Sequence, residues 1–312
     1  MPDWEHISNQ LQDARGLSLA AASARPVGGG CINSAYVLEG AGGAGPFFIK
    51  INRASGLAMF EAEREGLLEL ARSDSLRVPA PLCCGVSGDD AFLVMEYLPL
   101  QGAGDDARLG EGLAALHGIE SSSAHPLTHT LAHPPATTRP GPFGWHRDNT
   151  IGSTPQPNTW TDNWVRFWGE QRLGYQLRLA AKNGAGQALL RRGEQLQAAL
   201  PAFFTDYQPV ASLLHGDLWS GNYAFGEAGQ PVIFDPAVYY GDREADLAMT
   251  ELFGGFSARF YAAYQAAWPL DAGYATRKTL YNLYHILNHY NLFGGGYLSQ
   301  AQGMVDRLLA EC

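Results

Sequence analysis

The chain has 312 residues, of which 46% are hydrophobic and 17% are charged, and this composition is typical of a globular protein with room for two lobes. Its formal net charge of −10 argues against a nucleic-acid or anionic-membrane surface, where a basic face is expected. The sequence has no signal-peptide pattern, no apolar run long enough to span a bilayer and no metal or disulfide spacing among its four cysteines, so we expect a cytoplasmic protein with reduced thiols.

The N-terminal region combines a glycine cluster with a strand that ends on a lysine. Residues 4–22 favour a weakly amphipathic helix, and Gly28–Gly30 follow between two strand-like runs. Glycine lets peptide N–H groups approach phosphate oxygens closely, although hairpin turns also collect glycine. The strand FFIK ends at Lys50, as does the strand of the kinase lysine that pairs with nucleotide phosphates. The pattern predicts a nucleotide phosphate site that includes Gly29, Gly30 and Lys50.

A cysteine lies in the same glycine-rich stretch. Peptide N–H groups and Lys50 would favour the thiolate of Cys31. We therefore hypothesise an accessible, redox-sensitive residue able to form a mixed or intermolecular disulfide, with an inert small residue in a turn as the alternative. The chain is accordingly expected to be a monomer or a dimer linked through Cys31.

The segment Ala58–Arg72 is predicted to be a helix with one apolar face. That face carries, at i, i+3 and i+4 spacings, Met59, Phe60, Glu63, Leu67 and Leu70. Glu63 is the carboxylate on the apolar side, so we expect it to orient Lys50 toward phosphate, as the Lys and Glu pair of kinases does. A frayed surface glutamate is the alternative. The opposite stripe, which is expected in solvent, holds Glu61, Glu65 and Glu69.

An apolar strand, AFLVMEYLPL, then resembles a hinge between lobes. Backbone groups at Glu96, Tyr97 and Leu98 are expected to bind the adenine edge. The helical run RLGEGLAALHG begins a larger lobe, and His117 at its end favours capping or packing over catalysis. This organisation resembles that of the protein kinases, and the resemblance implies an α+β, two-lobed, protein-kinase-like fold, with an N-lobe of antiparallel sheet and one helix over residues 1–97 and a mainly helical C-lobe over residues 98–312.

The next segment is rich in Pro, Ser, Thr and Gly and is predicted to be mostly loop. His125, His129 and His133 recur at a spacing that would suit a metal on a helix, but prolines among them break such a helix, and their role stays open. The later part, FGWHRDNTIGSTPQPN, is dense in polar and aromatic residues. Loops of that kind often line polar-substrate pockets, with Asn149 and Gln156 as candidates here.

The clearest chemical signature is LLHGDLWSGN. His215, Asp217 and Asn222 fit the kinase pattern H-R-D-L-x-x-x-N, in which the Asp receives the hydroxyl proton and the Asn holds Mg²⁺. The runs NYAF and PVIFDPA around the turn GEAGQ predict a hairpin that places Asp235 beside Asn222 as a second oxygen ligand for Mg²⁺. Pro236 follows Asp235, so the D-F-G triplet is absent. A surface loop with an ordinary hairpin is the alternative.

Helices are predicted on both sides of this loop. Residues 160–182 form one whose tryptophans are expected in the core, and residues 187–204 form a second. Asp246 stands at the start of an apolar helix, where a carboxylate can accept backbone N–H bonds, so we expect it to brace the loop that holds His215. The last helices contain LYNLYHILNHYNLF, whose polar side chains need partners if buried.

Taken together, these residues resemble the fructosamine kinases, or ketosamine-3-kinases, relatives of the aminoglycoside and choline kinases with a protein-kinase-like fold. The resemblance covers nearly the whole chain. It rests on the motifs GGGCIN, FFIK, LVMEYL, LLHGDLWSGN, VIFDPAVYYGDREADLAM and LYHILNH, of which Asp217 and Asp235 are shared with the aminoglycoside kinases and specify only the superfamily. The loop NTIGSTPQPN and Trp219 of the catalytic loop are similar to the ketosamine branch in particular.

The resemblance implies an enzyme that uses ATP and Mg²⁺ to phosphorylate the 3-hydroxyl of a ketosamine, a sugar adduct on a small amine or a protein lysine. The product is unstable and sheds the sugar, which amounts to deglycation. Among ketosamines, we expect ribulosamines as substrates in preference to fructosamines. The indole of Trp219 is suited to cover the apolar face of a sugar, with a purely structural role as the alternative.

Two other functions remain open at this point. One is a kinase of the aminoglycoside or choline type, acting on another small amino alcohol. The other is a non-catalytic pseudokinase scaffold, which the intact set of Lys50, Asp217, Asn222 and Asp235 disfavours.

Overall fold

The computed structural model describes residues 2–28, 32–119 and 139–312. Its α-helices are α1 (Trp4–Arg15), α2 (Leu57–Ala71), α3 (Asp106–His117), α4 (Trp164–Phe167), α5 (Gly174–Lys182), α6 (Gln187–Ala199), α7 (Glu244–Leu252), α8 (Ala258–Ala267), α9 (Tyr274–Phe293) and α10 (Tyr297–Ala310). Its strands are β1 (Arg25–Val27), β2 (Ser34–Glu39), β3 (Pro46–Arg53), β4 (Pro81–Ser87), β5 (Asp90–Glu96), β6 (Asn149–Ile151), β7 (Thr154–Gln156), β8 (Ala211–Leu214), β9 (Tyr223–Phe225), β10 (Pro231–Ile233) and β11 (Tyr239–Asp242).

The chain divides into two compact units. Unit 1 comprises Met1–Asp105 and Tyr223–Pro236, and unit 2 comprises Asp106–Asn222 and Ala237–Cys312. The sequence placed the boundary after residue 97 and assigned the hairpin of β9 and β10 to the second lobe. The hairpin groups with unit 1 because its backbone bonds to that unit.

Unit 1 is built on an antiparallel sheet of five strands in the order β1-β2-β3-β5-β4. Helix α1 contributes Trp4, Ile7 and Leu11 to an apolar cluster with side chains of the sheet. Helix α2 contacts β4 and β5. Apolar residues of β5 are buried from Ala91 to Met95 without alternation, as expected for a strand that is covered on both faces.

The hairpin of β9 and β10 bonds to two other segments of unit 1. The N–H of Arg77 donates to Pro231 O at 3.3 Å, and the N–H of Ile233 donates to Arg77 O at 3.0 Å. Gln101 exchanges both backbone hydrogen bonds with Phe225, at 2.7 and 2.9 Å. These bonds satisfy the edge of the short hairpin, which could not be stable alone.

Unit 2 is mainly helical. Helix α9 is the central element, because every residue from Leu280 to Asn288 is buried, as in a helix surrounded by protein. Helices α3 and α8 approach closely at Gly110, where an added Cβ would lie 2.3 Å from the carbonyl oxygen of Phe260. Two short antiparallel pairs, β6 with β7 and β8 with β11, complete the unit.

Several helix ends differ from the sequence expectation. Helix α1 ends at Arg15 and not near residue 22, because Gly16 adopts a left-handed conformation with φ of 70° and caps it. The helix expected from residue 160 begins at Trp164, where the side chain of Asn163 caps the N–H of Arg166. A π-helical turn, Trp168–Leu173, interrupts it before α5. The helix expected to reach residue 204 ends at Ala199 and continues as a 3₁₀ turn.

The sequence prediction was wrong for one charged side chain of α2. Glu69, expected in solvent, is fully buried and pairs with Arg72 at 2.6 Å. Arg72 compensates the negative charge of the buried Glu69 carboxylate. The charge of a residue on this helix face therefore did not predict whether it is exposed. No helix within the described ranges is long and apolar enough to cross a bilayer.

Candidate active site

The buried ammonium group of Lys50 forms ion pairs with two carboxylates in unit 1. Lys50 lies on β3, and its Nζ is 2.5 Å from Glu63 Oε1 on α2 and 2.6 Å from Asp235 Oδ1 after β10. Strand β3 buries the stem of the lysine between β2 and β5, and the alternation of the strand directs it to the side of α2. The expected contact between Lys50 and Glu63 is therefore present, and Asp235 joins it.

The charges of Lys50, Glu63 and Asp235 together would attract an anion only after a cation has bound. Burial lowers the pKa of Lys50, but Asp235 and Glu63 outweigh it and the pKa is raised overall, so the group stays an ammonium. Burial raises the pKa of Glu63 against the attraction of Lys50, and the repulsion of Asp235 adds to the rise. One ammonium and two carboxylates carry a net negative charge, and a divalent cation would reverse its sign.

Asp235 occupies an unusual backbone position. Its φ is 57°, in the left-handed region that residues other than glycine rarely adopt, although aspartate tolerates it better than most. Its side chain is 45% exposed even though it bonds Lys50. Such a conformation persists only where its surroundings hold it, and it is common at ligand sites.

The predicted hinge residues lie at the end of β5. The N–H of Glu96 donates to Ala80 O at 3.0 Å, and the carboxylate of Glu96 pairs with the guanidinium of Arg77. The backbone N–H and the side-chain carboxylate of Glu96 are therefore both bonded within unit 1. Tyr97 and Leu98 follow it outside the sheet and are half-buried.

In unit 2, the segment His215–Asn222 follows the fully buried strand β8. Strand β11 pairs with β8, and the N–H of Ala237 donates to His215 O at 2.8 Å. Gly216 has φ of 82°, and a Cβ there would lie 2.0 Å from the carbonyl oxygen of Ala237. Only glycine fits, which explains the residue between His215 and Asp217.

Asp246, in the first turn of α7, braces this loop from beneath. Its carboxylate accepts the N–H groups of His215 at 2.7 Å and Gly216 at 2.8 Å, and lies 3.2 Å from His117 Nε2. Burial raises the pKa of Asp246, but His117, His215 and the N–H of Gly216 lower it further, so the pKa falls overall. His117 is a buried bracing residue, bonded also to Tyr264 at 2.8 Å.

Asp217 and Asn222 contact each other within the loop. The side-chain amide nitrogen of Asn222 donates to the backbone oxygen of Asp217 at 2.8 Å and to its carboxylate at 3.2 Å. Because the nitrogen points to Asp217, the carbonyl oxygen is the atom of the Asn222 amide that can ligate a cation. The N–H of Asp217 donates to His215 Nδ1 at 3.3 Å.

Each unit carries one of the two predicted Mg²⁺ ligands. Unit 1 offers the carboxylate of Asp235 and unit 2 the side-chain amide oxygen of Asn222, and both are the hard oxygen donors that Mg²⁺ prefers. No group of three or more His, Cys, Asp and Glu within the described residues is placed to hold a metal. Mg²⁺ usually keeps several waters and binds substrate phosphate oxygens, so it needs only one or two protein ligands.

Trp219 lies between Asp217 and Asn222 on the same loop and is 38% exposed. An added Cβ at Gly221 would lie 2.4 Å from the indole, so the ring lies directly over that glycine. The exposed part of the ring makes it available for a ligand.

The loop Asn149–Asn158, expected to line a substrate pocket, forms the hairpin of β6 and β7 and is turned inward. The side-chain nitrogen of Asn149 donates to Val238 O at 2.8 Å, and that of Gln156 donates to Ala237 O at 3.1 Å. Gln156 also donates to Asn149 Oδ1 at 2.8 Å. Tyr284 donates to Gln156 Oε1 at 2.7 Å. Both atoms of the Gln156 amide are thus used within the protein, which gives it a positioning role in place of the expected substrate contact.

Sequence reasoning missed the residue that fastens this hairpin. Arg172, in the π-helical turn, is fully buried and donates to Pro157 O at 2.6 Å and to Asn158 Oδ1 at 2.7 Å. Its guanidinium lies over the rings of Tyr239 at 4.1 Å and Phe167 at 4.6 Å. An arginine among tryptophans on a predicted core face was the available signal.

Three predicted site residues, Gly29, Gly30 and Cys31, lie outside the described residues, as do His125, His129 and His133. Of the other cysteines, Cys83, Cys84 and Cys312 form no disulfide within the described residues.

Comparison with known proteins places these features in context. The family model for fructosamine kinase matches residues 3–311. A probable ketoamine kinase of Synechocystis is 45% identical over 98% of this chain and 97% of its own length. A chloroplastic protein-ribulosamine 3-kinase of Arabidopsis thaliana is 43% identical over 91% of this chain and 81% of its own.

Solved structures agree with the predicted fold. A crystal structure from Haemophilus somnus, provisionally named a fructosamine-3-kinase, matches with a TM-score of 0.82 at 29% identity, covering 98% of this chain and 97% of that one. An aminoglycoside phosphotransferase matches with a TM-score of 0.59 at 16% identity, covering 97% of this chain and 98% of that one, and at this identity it supports the fold alone. The predicted two-lobed kinase-like fold is confirmed.

Proposed function

The chain belongs to the fructosamine kinase family, and from this premise we propose that it uses ATP to phosphorylate the 3-hydroxyl of ketosamines. It is a kinase whose acceptor is a hydroxyl group, and its relatives bear the names of ketoamine and ribulosamine kinases. The family match over residues 3–311 carries the proposal. The contacts around Lys50 and Asp217 support it chemically.

Unit 1 supplies the groups that suit the nucleotide. Lys50 keeps its positive charge and is held by Glu63, as needed for a lysine that neutralises phosphate oxygens. Backbone groups from Glu96 to Leu98 are proposed to bind the adenine edge. Because the N–H of Glu96 already donates to Ala80, we expect Tyr97 and Leu98 to provide the donors.

Unit 2 supplies the groups that suit the acceptor. Asp217 is proposed to take the proton of the attacking hydroxyl while the oxygen bonds to the γ-phosphorus and the bond to the β–γ bridging oxygen breaks, releasing ADP. The bond from Asn222 and the bracing by Asp246 fix the loop that carries it. Most of the rate enhancement would come from this positioning and from charge stabilisation.

The proposed metal ligands are Asn222 and Asp235. Mg²⁺ bound there would neutralise charge on the phosphate oxygens during transfer. Lys50 donates a hydrogen bond to the carboxylate of Asp235 and so helps to fix the position of that proposed ligand.

The proposed substrates are ribulosamines in preference to fructosamines, on small amines or protein lysines. Trp219 offers an exposed indole face for the apolar side of the sugar. Phosphate at C3 is a better leaving group than hydroxide. Loss of a proton from C1 and of phosphate from C3 gives an unsaturated amine adduct, which water hydrolyses to the free amine and a dicarbonyl sugar. The cytoplasmic location and the dimer linked through Cys31 stay predictions.

A direct test uses lysine that carries ribulose on its ε-amine, incubated with ATP and Mg²⁺. We expect NMR to locate phosphate on O3 and then to follow the recovery of free lysine. The matched control is Asp217→Asn. Phosphate on another hydroxyl, or transfer to an aminoglycoside and to no ketosamine, would move the chain to the other kinase branch. ATP binding without transfer to any alcohol would indicate a pseudokinase.

A further inference from the structure

A continuous row of aromatic rings runs from the catalytic loop across the surface of unit 2. We call it the aromatic strip, and its members are Trp219, Phe253, His289, Phe293 and Tyr297. Ring centroids lie 6.4 Å apart from Trp219 to Phe253 and 5.0 Å apart from Phe253 to His289. His289 lies 5.7 Å from Phe293 and 5.1 Å from Tyr297. The strip begins two residues after Asp217, so it adjoins the proposed acceptor side.

The strip is open to solvent and carries large apolar surface. Phe253 is 41% exposed and Phe293 is 60% exposed. Glycines follow both phenylalanines, at 254–255 and 294–296, so no bulky neighbour in the sequence covers the rings. Grouped exposed aromatic residues in a soluble protein commonly mark a binding surface.

The strip is fixed to the catalytic loop and not merely near it. A Cβ added at Gly255 would lie 2.4 Å from the Cβ of Ser220, so the segment after Phe253 packs directly on the loop that holds Trp219. His289 Nδ1 lies 2.8 Å from His285 O, and this contact orients its ring toward Phe253. A ligand on the strip would therefore have a defined position relative to Asp217.

The strip extends beyond the place where a sugar would lie. From Trp219 the ring contacts lead to Phe253 and His289, and from His289 to both Phe293 and Tyr297. A free ketosamine sugar would occupy only the Trp219 end. The rings beyond it are available to the part of a larger substrate that carries the sugar, and their apolar surface suits apolar side chains.

We propose that the aromatic strip binds the apolar side chains that flank a ketosamine-bearing lysine in a peptide or protein. The inference rests on the proposed ketosamine kinase activity and names the carrier that this activity prefers. Trp219 holds the sugar end, and Phe253 and Phe293 hold the carrier.

The test compares two short peptides that carry ribulose on a central lysine, one with leucine and phenylalanine beside the lysine and one with glycine on both sides. We expect the wild-type chain to have a kcat/KM that is roughly tenfold higher for the apolar peptide, the order expected for one or two aromatic contacts. In Phe293→Ala the ratio of the two kcat/KM values should fall roughly three- to tenfold. The matched control is Val210→Ala, since Val210 is 43% exposed in unit 2 but outside the strip, and it should keep the wild-type ratio.

The outcomes separate this inference from the function on which it rests. Equal kcat/KM for both peptides in the wild type, or an unchanged ratio in Phe293→Ala, would overturn the strip as a carrier site while leaving the kinase assignment in place. A dimer in sedimentation that Phe293→Ala disperses, with no change in the ratio, would assign the strip to self-association and likewise overturn it. Absence of transfer to either peptide would overturn the proposed function and the inference together.

Discussion

The carboxylate of Asp246 accepts a 2.8 Å hydrogen bond from the peptide N–H of Gly216, which precedes it by 30 residues. The same carboxylate accepts the N–H of His215. Helix α7 therefore positions the backbone of the catalytic loop through an ionised side chain. This contact leads to the first prediction.

Asp246→Asn should lower kcat at least tenfold, because an amide cannot accept both N–H bonds and also face His117 without turning a donor toward one of them. Stability should fall by about 1–3 kcal/mol, the cost of an unsatisfied buried group. Glu251→Gln on the same helix is the control, since Glu251 is partly exposed and pairs with Lys278 and Tyr274 at the far end of the helix from Asp246. A wild-type kcat in folded Asp246→Asn would contradict the bracing role. Steady-state kinetics and denaturant unfolding measure the two effects.

Asp217→Asn should keep the fold and the binding of ATP but lose roughly 10²-fold to 10⁴-fold in turnover, the usual range for a positioned acid or base. The amide retains the size of the side chain and the partner of Asn222, but cannot accept the proton. Calorimetric ATP titration and kcat on ribulosyl-lysine test the two halves of this expectation. Turnover close to wild type would remove Asp217 from the proton-accepting role.

Asp235→Ala should weaken the Mg²⁺ dependence of ATP binding, because one of the two proposed protein ligands is lost. It also removes one of the two carboxylates that hold Lys50. Asp235→Asn separates the effects, since the amide keeps a bond to Lys50 but is a weaker cation ligand. The measurement is the ATP dissociation constant over a series of Mg²⁺ concentrations. An identical Mg²⁺ dependence in all three proteins would exclude Asp235 as a ligand.

The catalytic loop was accessible to sequence reasoning because its chemistry fixes residue types at short intervals. His215, Asp217 and Asn222 lie within eight residues, and the local spacing carries their arrangement. The bond between Lys50 and Glu63 was also foreseeable, because a carboxylate on the apolar face of a helix needs a cation. Strand alternation and helix periodicity gave the main elements of both units.

The inward turn of the Asn149–Asn158 hairpin was not foreseeable in the same way. Its polar residues could have faced either a ligand or the protein, and composition does not distinguish these cases. Long-range partners decide it, namely Val238, Ala237 and Tyr284 for the amides of Asn149 and Gln156. The π-helical turn that places Arg172 against this hairpin has no sequence signal comparable to a cap or a proline.

Arg172→Lys should lower kcat roughly tenfold with little change in the KM for ATP. A lysine cannot bond Pro157 O and Asn158 Oδ1 together or stack flat on Tyr239. The hairpin would then hold Ala237 less firmly, and Ala237 bonds to His215. Arg178→Lys, on the exposed side of α5, is the control. An equal rise in the KM for ATP would contradict a role confined to the acceptor side.

His285 should make the fold sensitive to acid. Burial lowers its pKa from 6.5 to about 3, with repulsion from His289 adding to the effect, so the unfolded chain binds a proton in this range that the folded chain excludes. Stability should therefore rise with pH from about 3 to 6.5 and be lost as the pH falls through this window, by up to about 1.4 kcal/mol per pH unit for this group. Urea unfolding between pH 4 and 7 should show a shallower pH dependence in His285→Gln. Parallel curves for the two proteins would exclude His285 as the source.

The discontinuity of unit 1 has a consequence for how the protein is made. The partner of Lys50, Asp235, follows it by 185 residues, and the unit is complete only when residue 236 of 312 has been synthesised. Domains usually fold as they leave the ribosome, N-terminal first. Here the nascent N-terminal segment must wait, with its central ammonium matched by Glu63 alone, until about three quarters of the chain has emerged. A fragment that ends at Asp105 would lack the last hairpin and its carboxylate, so we expect it to be a client for chaperones and not an independent domain.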